Sequence, residues 1–167
     1  MRSIVRAEPD HAAVIAEMVG ELLQEIMTAV GCRVFSFDPG STETRLRTWL
    51  SDGTYTVFVA YGHSNEVMGF LSVYESYALY AEGAFGTIPE LYVRPAFRSQ
   101  GIGGRLLSEA RQLATTRQWT RLEATTPPLP QFERTLAFYE RHGFSVSGGR
   151  KMKIDVPSAS IPSCDRR

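Results

Sequence analysis

The sequence predicts an α/β (α+β) fold: a single domain with a mixed, mostly antiparallel central sheet flanked by helices. Three observations predict it. Apolar residues recur at helical spacing through Val14, Ile15, Met18, Val19, Leu22, Leu23, Ile26 and Met27. Two runs rich in β-branched and aromatic residues, Thr54 to Tyr61 and Val67 to Tyr74, flank the turn Gly62-His63-Ser64-Asn65. A third strand, Thr87 to Val93, passes through a glycine-rich loop into a helix. The 167 residues suit one domain, placed at 1–156, and no internal repeat divides it.

Taken in order, residues 3–7 read as a short first strand, and Pro9 and Asp10 open the long amphipathic helix that ends near Gly31. Residues 32–40 are a loop carrying Phe35 and Phe37. Ser41 and Thr42 are expected to cap a second helix through Leu50, closed by Ser51-Asp52-Gly53. The hairpin follows, then an irregular aromatic stretch at 75–86. Gly101 to Arg117 places Ile102, Leu106, Leu107, Ala110 and Leu113 on one helical face. Trp119 to Thr126 is a strand, Pro127, Pro128 and Pro130 stiffen a connector, and Phe132 to His142 is a helix stopped by Gly143. Phe144 to Val146 and Met152 to Val156 are expected to close a final hairpin, and the Ser/Pro-rich residues 157–167 a disordered tail.

Composition narrows the function. Eighteen basic and eighteen acidic residues cancel, so no overall field draws nucleic acid or an anionic membrane. No segment reaches the roughly 18 to 20 apolar residues of a membrane span, and no apolar leader follows Met1. Two cysteines, Cys32 and Cys164, make no disulfide framework, and Cys32 reads as a small buried hydrophobe. A cytoplasmic protein is expected. His11, His63 and His142 have no metal spacing, so no metal is expected.

The most informative stretch is Leu91-Tyr92-Val93-Arg94-Pro95 running on to Arg98, Gln100, Gly101, Ile102, Gly103, Gly104 and Arg105. A helix begins where the glycines cluster. Its first N–H groups lack internal partners, and its dipole adds positive character there, so the loop is suited to a pyrophosphate. Arg98 and Arg105 offer full charges alongside. A glycine turn with no ligand is the plain alternative. A P-loop is excluded, because Gly-Lys-Ser/Thr is replaced by Gly104-Arg105-Leu106. A dinucleotide loop is a partial match: Leu106 stands at its third glycine, yet Glu123 lies 20 residues beyond Gly103, where a ribose-binding acid is expected.

Arg98-x-x-Gly101-x-Gly103, preceded by Leu91 to Pro95, resembles the acetyl-CoA motif of the GNAT superfamily of N-acetyltransferases. Downstream, Tyr139-Glu140-Arg141-His142-Gly143-Phe144 resembles that family's second signature. The resemblance covers nearly the whole chain. It implies an N-acetyltransferase that moves an acetyl group from acetyl-CoA to a primary amine by direct attack. It implies that the amides of Gln100, Gly101, Ile102, Gly103 and Gly104 hold the pyrophosphate. Leu91 and Val93 would pair with the pantetheine arm, with the Val93 N–H polarising the thioester carbonyl. Tyr139 would be the general acid; its alternative is a core aromatic. Glu90 would be the base, or else a structural carboxylate, since several relatives place the acid one residue earlier, where Pro89 stands. Glu75 and Glu82 are weaker candidates. Phe132 replaces an asparagine that relatives carry seven residues before the tyrosine.

The resemblance also implies an acceptor pocket between the loop after the first helix and mid-sheet. Phe35, Phe37, Tyr74, Tyr77 and Tyr80 are its candidate walls, suited to a cationic or apolar amine. The acceptor is a small-molecule or peptide amine, and homodimerisation stays open. Two other readings remain: a nucleotide or dinucleotide binder, and a non-catalytic acyl-CoA-binding module.

Overall fold

Among the described residues the strands and α-helices are β1 (Ser3–Arg6), α1 (Ala12–Val30), α2 (Pro39–Asp52), β2 (Thr56–Tyr61), β3 (Val67–Ala78), β4 (Gly83–Ile88), β5 (Leu91–Val93), α3 (Ile102–Thr116), β6 (Leu122–Ala124) and α4 (Glu133–Arg141). They belong to a computed structural model that describes residues 3–147 and 152–154. The strands join in the order β1-β2-β3-β4-β6, with β5 also on β3. Every pairing is antiparallel except β4 with β6, so the predicted mixed, mostly antiparallel sheet between helices is what the chain forms.

Local chemistry sets the helix ends. A 3-10 turn at Pro9–His11 leads into α1, with the Glu8 N–H donating to His11 Nδ1 at 3.0 Å, and Gly31 ends α1 at φ 72°. The second helix starts earlier than Ser41 or Thr42. Asp38 is the N-cap, its Oδ1 accepting from the Ser41 N–H at 2.8 Å, and Pro39 takes the first helical position.

The strands differ more from expectation. Residues 75–86 are not irregular: β3 continues to Ala78, turns through Leu79–Ala81 and returns as β4. The expected strand 87–93 is two strands, and the expected strand 119–126 shortens to Leu122–Ala124. Residues 144–147 and 152–154 form no strand, and the rest of the expected final hairpin and the 157–167 tail lie outside the described residues.

The split near Pro89 positions the site. Tyr74 pairs with Thr87, but Leu71 pairs with Leu91, and the Ser72 N–H donates to the Glu90 carbonyl at 3.0 Å. The β4–β5 side therefore carries one extra residue, a bulge at Ile88-Pro89. Pro89 has no N–H to give the ladder, so the irregularity falls where a proline is tolerated. Beyond the bulge β4 stays paired with β6 through Gly86–Ile88, whereas β5 pairs only with β3 among the described residues. The sheet thus opens between β5 and β6. Gly69 lets β5 come close on the other side: a Cβ there would lie 2.4 Å from the Tyr92 carbonyl oxygen.

Two apolar layers cover the sheet. On one face Ile15, Met18 and Leu46 from α1 and α2 pack on Val57, Val59, Phe70 and Tyr92. On the other, Ile102, Leu106, Leu107 and Ala110 from α3 pack with Leu71, Val73, Ile88 and Tyr139. Burying a side chain such as Leu106 or Phe70 contributes about 1.5–3 kcal/mol, so each helix is held chiefly by the face it gives the sheet.

Candidate active site

The segment from β5 to α3 gathers backbone N–H groups in a geometry suited to an anion. After β5, Pro95–Phe97 makes a 3-10 turn, and then Ser99 and Gly101 both take positive φ, 59° and 77°. Such turns concentrate N–H groups on one side of the chain. Gly101 is the N-cap of α3, and no side chain caps the first helical amides. The N–H groups of Ile102, Gly103 and Gly104 therefore stand at the positive end of a 15-residue helix. The predicted residues Gln100, Gly101, Ile102, Gly103 and Gly104 come together here.

Gly103 and Gly104 serve a second purpose that the sequence does not reveal. A Cβ on Gly103 would lie 3.0 Å from Phe138 Cζ, and one on Gly104 2.7 Å from His142 Nε2. Both missing side chains thus face α4, so these glycines let α4 pack against α3. Only Gly101, at φ 77°, is required by the turn itself.

The open edge of β5 continues the amide surface. In an antiparallel ladder, alternate residues turn both backbone groups to the same neighbour. The Arg94 N–H donates to the Met68 carbonyl at 2.9 Å, and the Glu90 carbonyl accepts from Ser72. Residues 90, 92 and 94 therefore face β3, and Leu91 and Val93 turn their amides to the side where the sheet has opened. The Val93 carbonyl accepts from Arg98 Nε at 2.8 Å, as this orientation requires.

Arg98 is engaged differently from expectation. Its Nη1 and Nη2 donate to both carboxylate oxygens of Glu25 on α1, at 3.0 and 2.6 Å, and its guanidinium lies 5.6 Å from the centre of the Tyr92 ring. Its charge is matched within the protein rather than aimed at the loop amides. Arg105 is exposed on the first turn of α3.

Glu90 is partly buried, and the buried Ser72 hydroxyl donates to its Oε2. Residues opposite one another share a face. Glu90 therefore lies on the α1–α2 side with Ser72 and Tyr74, because the bulge sets it opposite Ser72 in place of Pro89. Tyr55 stacks on Tyr74, centroids 5.5 Å apart, and on Trp49 at 4.8 Å. Burial foremost, then the Glu90 carboxylate and Tyr74, push the Tyr55 phenol well above its ordinary value. Glu75 points to the opposite face, accepting from Trp119 Nε1 at 2.6 Å and from the Tyr77 hydroxyl. Glu82 sits at the β3–β4 turn at φ 58°.

Tyr139 is buried among the α3-side residues against which Leu91 and Val93 also pack. Its ring lies edge-on to Phe138 and Phe144, at 5.4 and 5.1 Å. Burial pushes its hydroxyl up to about 12.

The five expected acceptor-site aromatics are not gathered into one pocket. Phe35 and Phe37 line a groove of about 520 Å³ against Gly20, Leu23 and Met27 of α1. Tyr74 belongs to the Tyr55 stack. Tyr77 and Tyr80 are 74% and 77% exposed near the β3–β4 turn, and Tyr80 stacks with Arg121 instead. Cys32 is a free, exposed cysteine rather than a buried hydrophobe, and it lines the same groove as Phe35. Ser72, Tyr55 and Glu25 were not visible as site residues. Ser72 alone left a trace, a hydroxyl in a run of apolar strand residues. Glu123 pairs with Arg121 at 2.8 Å, and the loop follows a strand antiparallel to its neighbour, so the parallel dinucleotide-binding sheet is not formed.

Among the described residues no group of His, Cys, Asp or Glu is arranged to hold a metal, and no helix is long and apolar enough to cross a membrane.

Residues 53–146 match a family model described as an acetyltransferase (GNAT) domain. The fold is shared with solved structures of low sequence identity. A predicted acetyltransferase with acetyl-CoA from Clostridium acetobutylicum superposes with a TM-score of 0.75 at 13% identity, over 93% of this chain and 96% of that one. A ribosomal-protein-alanine N-acetyltransferase from Brucella melitensis biovar Abortus 2308 gives 0.69 at 18%, over 93% and 100%. An aminoglycoside acetyltransferase from an uncultured soil metagenomic sample, in complex with sisomicin, gives 0.70 at 18%, over 94% and 97%. No curated protein matches the chain.

Proposed function

We propose that this chain, which belongs to the GNAT family of acetyltransferases, transfers an acetyl group from acetyl-CoA to a primary amine by direct attack within a ternary complex. One observation carries the reading: the outward amides of Leu91 and Val93 lie on the strand that leads, through the turn at 95–101, into the uncapped N-terminus of α3, so two sets of donors flank that turn. Together they fit an acyl arm that ends in a pyrophosphate.

In this reading the amides of Gln100 to Gly104 hold the pyrophosphate, and Arg105 adds charge at the mouth of the loop. Leu91 and Val93 pair with the pantetheine arm as an added strand would. Acetyl-CoA, when bound, supplies the activated thioester. The Val93 N–H lies where it can stabilise negative charge developing on a carbonyl oxygen. Glu90, fixed by Ser72, accepts the proton that the amine must lose, directly or through water. Tyr139 holds a proton for the departing sulfur. Phe35 and Phe37 on the α1 groove offer one surface for the amine and Tyr74 beside Glu90 another, and the largely exposed Tyr77 and Tyr80 line neither. The acceptor is a small-molecule or peptide amine. The exposed thiol of Cys32 favours the reducing cytoplasm as its compartment.

The ligand is tested by thermal unfolding. Acetyl-CoA at about 100 times its Kd stabilises a protein by about 2.7 kcal/mol, which for a domain of this size is roughly 5 to 10 °C in Tm. NAD and ATP at equal concentration are expected to leave Tm unchanged. Stabilisation by NAD or ATP but not by acetyl-CoA would reverse the assignment.

A further inference from the structure

The surroundings of the anion loop pose an electrostatic puzzle. Glu17, Glu21 and Glu25 recur every four residues along α1 and so share one face of the helix. That face meets the chain on either side of the 3-10 turn at Pro95–Phe97. Arg94, just after β5, donates through Nε to both oxygens of Glu21 at 3.1 Å and through Nη2 to Glu21 and Glu17 at 2.7 and 2.9 Å. Its Nη1 also donates to the Val67 carbonyl at 3.1 Å. Arg98 makes the two-point fork with Glu25 and ties the Val93 carbonyl through Nε. A row of carboxylates beside a site for an anion is unfavourable by charge alone. Something else must account for it.

We infer that Glu25 is a positioning residue for the cofactor loop: its fork with Arg98 anchors residues 98–104 to α1 and keeps the Val93 edge in line with the amides at the start of α3. The geometry supports a mechanical role over direct anion binding. All three nitrogens of the Arg98 guanidinium are engaged, two on Glu25 and one on Val93. A planar guanidinium forked onto a carboxylate fixes direction as well as distance, which a point charge does not. Ser99 and Gly101, with their positive φ, follow directly, so the anchor stands at the start of the turn that leads into α3. Arg94 is the second anchor, and the two together leave the loop hung between α1 and α3.

The inference rests on the acetyl-CoA reading for its ligand, and the test separates the two. The variants are Glu25→Gln, Arg98→Gln and the double variant, each probed with CoA by calorimetry and by amide hydrogen exchange without ligand. Charge alone predicts that removing a carboxylate beside an anion site tightens CoA binding. The anchor predicts the opposite sign: Glu25→Gln weakens CoA about three- to tenfold. The double variant binds no worse than Arg98→Gln, because each single change already breaks the same fork. In turnover, the loss falls chiefly on KM for acetyl-CoA, which rises by the same factor, with any fall in kcat the smaller part. Exchange at the bonded amides that flank the loop, those of Phe97, Arg98 and Arg105, quickens in the unliganded variant, with global Tm held. Equal or tighter CoA binding by Glu25→Gln, with unchanged exchange, overturns the inference and leaves the cofactor assignment standing. Faster exchange in a protein whose wild type does not bind CoA upholds the anchor and removes the ligand.

Discussion

Val93→Pro is expected to lower kcat by about 100- to 1000-fold, the cost of losing one donor to a developing oxyanion. The substitution is selective for a structural reason. The bulge at Ile88-Pro89 leaves residues 90, 92 and 94 bonded to β3 and turns Leu91 and Val93 outward. A proline at 93 therefore removes an N–H that the β3 ladder does not use, the position at which a strand accepts one. It keeps the carbonyl to which Arg98 donates, and its preceding residue, Tyr92, is already extended. Val93→Ala is the control: it trims the side chain, retains the N–H and is expected to keep most of the rate. A Val93→Pro enzyme within about threefold of wild type at saturation, measured by thiol release, would remove the amide from the chemistry.

Tyr139→Phe is expected to reduce kcat by about 10- to 1000-fold, the range for a positioned proton donor. Burial raises this hydroxyl to about 12, so it is protonated, and able to donate, at every pH below that value. Because the folded value lies above the ordinary one, the neutral form persists through the working range, and Tyr139 contributes no alkaline loss of rate within it. Phenylalanine keeps the edge-on contacts with Phe138 and Phe144, so Tm is expected to hold. A near-normal kcat under conditions where chemistry limits turnover would return Tyr139 to a packing role in the α3-side core.

Helices α1, α3 and α4 were legible because their signals are local: apolar spacing, a glycine stop, a run of apolar residues on one face. The turn that opens α3 was legible for the same reason, since strand, turn and helix start are contiguous. What stayed hidden depends on partners distant in sequence. The bulge exists only relative to β3, so nothing in Pro89-Glu90 alone told which face Glu90 would take. Ser72 supplies that answer from 18 positions away. Arg98 was assigned to the ligand because its partner Glu25 lies 73 residues earlier. Gly103 and Gly104 were assigned to anion approach, although the space they leave is filled by Phe138 and His142. The β3–β4 return was missed for a different reason. Tyr77, Leu79 and Tyr80 are exposed and break the alternation that marks a half-buried strand.

Acetyl transfer to an amine is read from its two products. Purified protein is incubated with acetyl-CoA and a panel of amines: aminoglycosides, amino acids, polyamines and peptides with free N-termini. Free thiol and the acetylated product are followed together. Thiol release that requires an amine, matched by a mass gain of one acetyl group on that amine, is the expected result. Stabilisation by acetyl-CoA with no amine-dependent thiol release across the panel would contradict it, leaving a protein that binds the cofactor and does not turn it over.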